Sequence, residues 1–230
     1  MTNFVLVHGS YQGGWIWQRV AQRLRARGHT VFTPTLEGCA ERRDSLRPGI
    51  DTTTMGDEIA SLLFYEDLRD VVLVGTSSGG MVACRAAERM RERIKHLVLV
   101  DALALFPGEK SRDIVNRTAP PPYGIAWAPA RDDAAKSLFP DLDPATLEWV
   151  LDRYTPHPVG TSMTPVRLHD FWNQSWNATV IWCRQAENPG EAHQRRACAK
   201  LKAKWLELDT GHYPMLTMPD ELTAMLMEAG

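Results

Sequence analysis

The chain has 230 residues, 44% of them hydrophobic, with 26 lysines and arginines against 28 acidic residues and a formal charge of −2. A polypeptide of this size buries about 70% of its unfolded surface, which supports one large α/β domain with an excursion and excludes two full domains. The balanced charge, with no basic run along a face, argues against nucleic-acid or anionic-membrane partners, and Arg89 to Arg93 reads as a solvated helix end.

Asn3 to Val7 is apolar and β-branched, too short for a signal-peptide core, and runs straight into a glycine turn, so it is read as a first strand. No other apolar stretch approaches the roughly 18 residues that span a bilayer, and the expectation is a soluble, cytoplasmic protein. Trp17, Val20, Ala21 and Leu24 then recur at helical spacing, with Gly28 as the stop and His29 to Phe32 as a second strand. Thr54 and Asp57 form a candidate capping pair for a helix with Met55, Ile59, Leu62 and Leu63 on its apolar face.

Next comes Val71-Val72-Leu73-Val74-Gly75-Thr76-Ser77-Ser78-Gly79-Gly80, followed by helix-forming sequence from Met81 to Ala87. A buried strand that meets Gly-x-Ser-x-Gly and then a helix is the pattern of a nucleophile elbow, in which a tight turn leaves the serine hydroxyl exposed. Ile94 to Val100, Thr179 to Cys183 and Trp205 to Leu208 are further strands, and a last helix after Pro219 buries Leu222, Met225 and Leu226. Strands apolar on both faces that alternate with helices predict an α/β fold with a mostly parallel sheet covered on both sides.

The alternation breaks between Phe106 and Asp170, where prolines stand at 107, 120, 121, 122, 129, 140, 144, 156, 158 and 165 and exclude strands. One helix is predicted there, from near Pro144 with Leu147, Val150 and Leu151 on one side. Trp127, Phe139, Trp149 and Tyr154, with Phe171 and Trp172 just beyond, are too aromatic for a solvated linker. The predicted organisation is a core of residues 1–105 and 171–230 with a helical cap over 106–170.

Cys39, Cys84, Cys183 and Cys198 lack paired spacing and are expected as free thiols, and the seven histidines form no ligand cluster, so no metal site is expected. His96 and His193 are assigned to the surface. A serine hydroxyl needs a base, and that base needs a partner to fix its tautomer. His212, between the last strand and the last helix, is the candidate base for Ser77. The candidate oxyanion donors are the backbone amides of Ser78, directly after the nucleophile, and Ser10, in the glycine turn after the first strand.

Phe4-Val5-Leu6-Val7-His8-Gly9, Gly13-Gly14-Trp15-Ile16-Trp17, Gly28-His29, the elbow and Gly211-His212-Tyr213-Pro214-Met215-Leu216 together resemble the α/β-hydrolase superfamily. Within it the chain is similar to the plant methyl-ester esterase and hydroxynitrile lyase group and its bacterial relatives. The resemblance implies an α/β-hydrolase fold, a Ser-His-acid triad and no cofactor. In that group the acid usually follows the strand ending near Cys183, where this chain has Ala186 and, one residue on, Glu187. Asp101, at the end of the neighbouring strand, is favoured over Glu187, and Asp209 lies close to His212 along the chain. The lyases carry threonine at the position of Gly9 and lysine at that of Tyr213, so both lyase marks are absent.

The expected activity is serine-dependent cleavage of a small, largely apolar carboxylic ester (methyl, aryl or lactone) through an acyl-enzyme. The alternatives are a ligand-binding protein on a hydrolase shell, and cofactor-free lyase or oxygenase chemistry. The partner expected is a small ester, with a homodimer left open.

Overall fold

The computed structural model describes residues 1–115 and 124–230; Pro120, Pro121 and Pro122 lie outside the described residues. Its strands are β1 (Asn3–Val7), β2 (Thr30–Phe32), β3 (Val71–Ser77), β4 (Ile94–Ala102), β5 (Ala126–Trp127), β6 (His157–Pro158), β7 (Ala178–Cys183) and β8 (Lys204–Leu208). Its helices are α1 (Gln18–Ala26), α2 (Thr52–Tyr65), α3 (Gly79–Arg89), α4 (Arg131–Ser137), α5 (Pro144–Leu151), α6 (Gly160–Met163), α7 (Glu191–Leu201), α8 (Pro214–Thr217) and α9 (Pro219–Glu228).

Six strands form one sheet in the order β2-β1-β3-β4-β7-β8, and every neighbouring pair is parallel. Strand periodicity divides the core in two. Val5, Val7, Leu73, Leu97, Leu99 and Val180 face α2, α3 and α7, whereas Phe4, Leu6, Val72, Val74, Val98, Val100 and Ile181 face α1 and α9. The chain leaves β1 for β2 on one side and returns to β3 on the other, so the crevice between the C-terminal ends of β1 and β3 is the topological switch point where such sheets bind ligands.

Described residues of the proline-rich segment pack against this core. Ala134, Leu138, Phe139, Val150 and Leu151 join the same buried cluster as α1 and α9, and Phe139 stacks at 4.8 Å on Tyr213. Two expectations for this segment change. It carries three helices among the described residues, and it contains a two-residue antiparallel pairing of Ala126–Trp127 with His157–Pro158, short enough to coexist with Pro158.

Three local readings are corrected. Asp51 caps α2 by accepting from the amides of Thr53 and Thr54, while the Thr54 hydroxyl accepts from the Asp51 amide, so Thr54 is the third helical residue and not the cap. Arg93 is buried and donates to the carbonyls of Leu63 and Leu68 and to Asp67, so the end of α3 is not wholly solvated. His193 is buried and His96 half-buried, each with a ring nitrogen in a hydrogen bond. All four cysteines are free thiols.

Candidate active site

The switch-point crevice is built by two turns in contact. After β1, His8 is fully buried and neutral, its pKa pulled down to about 4 chiefly by desolvation. Its Nε2 accepts from the Leu36 amide at 3.0 Å and its Nδ1 lies 2.8 Å from the Gly9 carbonyl, which fixes Nδ1 as the protonated nitrogen. Gln12 Oε1 accepts from the Gly9 amide at 3.2 Å, so the turn leading to Ser10 is held from both ends.

After β3, Ser77 takes φ +52°, in the left-handed region that only a tight turn imposes on a serine. The turn needs close packing. A Cβ on Gly79 would lie 2.4 Å from the His8 carbonyl oxygen, and one on Gly9 would lie 2.6 Å from Ser77 Cβ. The glycines therefore let the elbow and the β1 turn touch. The hydroxyls of Ser10 and Ser78, the two predicted oxyanion positions, are 2.8 Å apart.

The acid comes from β4. Thr76 pairs with Val100 and Ser77 with Ala102, so a register shift leaves Asp101 as the extra residue of a bulge, with φ +43°. The bulge turns a fully buried carboxylate beneath the site. Asp101 Oδ2 accepts from His212 Nδ1 at 2.5 Å, while Oδ1 accepts from Gln194 Nε2 at 2.6 Å and from the Cys183 amide at 3.3 Å. Three donors satisfy the buried charge.

Sequence reasoning thus finds the acid that meets the histidine. Glu187 lines the same cavity as His212, but the Nδ1 position is taken by Asp101, and Asp209 is exposed and paired with Arg184 at 3.1 Å. Ser77 sits beside Asp101 at the sheet edge, yet no hydrogen bond joins Ser77 Oγ to His212 in this structure. Gln194, Gln12 and His8 escaped the sequence reading. Only His8, inside an apolar strand end, left a signal: a buried histidine must have its nitrogens engaged.

A cavity of about 890 Å³ opens beside His212, walled by Tyr11, Trp127, Pro129 and Leu138 and also by Asp133, Lys136, Asp141 and Glu187. Its wall is mixed, not largely apolar. The proline-rich segment supplies one side of the cavity, and Tyr11 with the loops after β7 (residues 185–188) and β8 (Gly211 and His212) supplies the other; Tyr11 contacts Trp127 at 6.2 Å across it. Among the described residues no group of three or more acid, histidine or cysteine side chains could hold a metal, and no helix is long and apolar enough to cross a membrane.

The model of the alpha/beta hydrolase family matches residues 4–225. The chain belongs to the alpha/beta hydrolase family. It is 31% identical over the full length of both chains to a carbendazim hydrolyzing esterase of Nocardioides sp. strain SG-4G. It is 36% identical to the alpha-hydroxynitrile lyase of Arabidopsis thaliana over 44% of this chain and 39% of that protein. Among solved structures, the methylesterase MES16 from Arabidopsis superposes with a TM-score of 0.82 at 20% identity, covering 100% of this chain and 98% of that one. An extracellular alpha/beta-hydrolase from a Paenibacillus species gives 0.86 at 20% identity, over 100% and 99%. These two likenesses establish the shared fold.

Proposed function

We propose that this family member is a serine carboxylic-ester hydrolase with Ser77 as nucleophile, His212 as base and Asp101 as the orienting acid. The observation that carries the reading is the Asp101–His212 bond, formed across 111 positions of sequence at the sheet edge where the elbow presents Ser77. The esterase relative matched over its full length supports the same chemistry.

His212 takes the proton of Ser77 Oγ as that oxygen attacks the ester carbonyl carbon, and the amides of Ser10 and Ser78 hold the developing oxyanion. The imidazolium returns the proton to the departing alkoxide, which leaves as the alcohol, and Ser77 keeps the acyl group. Water then repeats the sequence with His212 as base, releasing the carboxylic acid. Asp101 stabilises the imidazolium in both halves. Catalytic hydrogen bonds are often long in unliganded enzymes and close only around substrate, which accommodates the open Ser77–His212 contact.

Segment 106–170 acts as the cap that shapes the substrate, and its aromatic and charged wall favours a small ester carrying both apolar and polar groups. The four free thiols suit a reducing, cytoplasmic setting. A fluorophosphonate should add one equivalent of mass at Ser77, and Ser77→Ala should lower turnover of p-nitrophenyl acetate at least about 10³-fold. Unchanged mass together with turnover retained by Ser77→Ala would end the proposal.

A further inference from the structure

We propose that Gln194 is a positioning residue for the acid, holding Asp101 against His212; the inference rests on the triad reading above. Gln194 lies in the first turns of α7, is 1% exposed, and donates through Nε2 to Asp101 Oδ1 at 2.6 Å. Its other amide atom, Oε1, is buried with no partner among the described residues. That combination is informative. A leucine or methionine would fill the same space without stranding a carbonyl oxygen, so the amide is retained at this place against the desolvation of Oε1. The orientation is fixed as well, because turning the amide over would set its carbonyl oxygen against a carboxylate oxygen.

The rest of α7 serves the same segment. His193 Nε2 accepts from the Ala104 amide at 3.1 Å, and Arg196 forms two bonds, of 2.7 and 2.8 Å, to Glu109, whose carboxylate in turn accepts from the Phe106 amide. Three side chains of one helix, His193, Gln194 and Arg196, thereby grip the chain as it leaves β4, with Gln194 on the acid itself. Asp101 takes positive φ on a bulge and lacks the ladder pairing of its neighbours, so its direction depends on side-chain bonds. Gln194 and the Cys183 amide fix one oxygen, which leaves Oδ2 for His212.

The Gln194 amide also withdraws charge from the carboxylate. Without it Oδ2 becomes the more negative, holds the imidazolium more strongly, and moves the acid limb of activity to higher pH. The charged and titratable groups around the pair are His212, the Cys183 thiol, Asp141 against Gly211, Glu187 along the cavity, and His193, Arg196 and Glu109. None of these is removed by changing Gln194.

The test is the pH profile of p-nitrophenyl acetate hydrolysis by full-length Gln194→Leu and Gln194→Met. For Gln194→Leu we expect kcat lower by about tenfold or more with KM within about twofold of wild type, as for loss of a hydrogen bond to a charged group. The acid limb of kcat/KM should rise by about half a pH unit or more in both variants, which remove the amide donor. Wild-type kcat and an unmoved limb in both variants overturn the proposal. Should Gln194→Leu fail to fold, Gln194→Met, which keeps the unbranched stem and lacks the donor, decides by the same limb. In the wild-type protein the Gln194 side-chain amide resonances should titrate together with His212, and should cease to do so in Asp101→Asn; amide signals indifferent to that titration count against the assignment. Full turnover by Ser77→Ala and Asp101→Asn removes the triad reading itself, whereas inactive triad variants beside unaffected Gln194 variants remove only this inference.

Discussion

Ser77 and Asp101 both adopt left-handed backbone conformations, at +52° and +43°, on adjacent strands. Such residues are disfavoured by roughly 1–2 kcal/mol each and persist where surrounding contacts over-determine them. Here those contacts are the elbow packing around Ser77 and the three donors to Asp101. Gly9 packs directly on Ser77, where an added Cβ would sit 2.6 Å from Ser77 Cβ and 3.2 Å from its Oγ. Gly9→Ala should therefore displace Ser77 by a few tenths of an ångström and, with Ser77 as the proposed nucleophile, lower kcat by about tenfold to a hundredfold while the protein still folds. Steady-state rates with p-nitrophenyl acetate, beside the rate of fluorophosphonate labelling at Ser77, measure this. Wild-type values for both would show that the turn has slack.

At the scale of elements, the helices are set by their ends as much as by their apolar faces. α2 starts where Asp51 and Thr54 exchange bonds, a reciprocal cap read in the sequence as Thr54 with Asp57. The reason is positional: Asp51, Thr52, Thr53 and Thr54 are all capping residue types, and only the direction in which the chain arrives from Ile50 selects among them. Asp51→Ala should destabilise the fold by about 1 kcal/mol and lower Tm by about 2–4 °C, with esterase activity at 25 °C unchanged. An unchanged Tm by calorimetry would mean that burial of α2 against α3 alone sets its start. Arg93 makes the complementary point. Charge alone marks it as solvated, yet its guanidinium lies 5.6 Å from the Phe64 ring and satisfies the Leu63 carbonyl in the last turn of α2 and the Leu68 carbonyl just beyond it.

For the whole molecule, buried neutral histidines tie stability to pH. His8, His157 and His193 have pKa values lowered to about 4, about 3 and about 4, each chiefly by desolvation, with the Arg196 charge adding to the effect on His193. An unfolded chain takes up these protons near pH 6.5 while the folded one does not, so the unfolded state binds more protons below that point. Stability is thus at its full value above about 6.5 and falls as pH drops towards about 4, by about 1.4 kcal/mol per unit for each histidine. Urea denaturation between pH 7.5 and 5 should show this loss. His193→Gln, which keeps an acceptor for the Ala104 amide, should reduce the slope by about a third. Equal slopes in wild type and variant would show that His193 is protonated without strain on the fold.

The amino-acid sequence by itself determined the six strands of the parallel sheet, their alternation with helices, the tight turn at Ser77 and the place of His212 between the last strand and the last helices, because these depend on local periodicity and on glycines that a tight turn requires. It also favoured Asp101 over Glu187 as the acid, since a carboxylate closing an apolar strand must find a partner. Tertiary structure alone decided that the partner is His212, that a bulge in β4 frees Asp101 to reach it, and that Gln194 and His193 hold that segment from α7. Those facts turn on distances between residues about 90 to 110 positions apart. No window of sequence contains them, because hydrogen bonds of buried polar groups are chosen by which elements pack together and not by their neighbours along the chain.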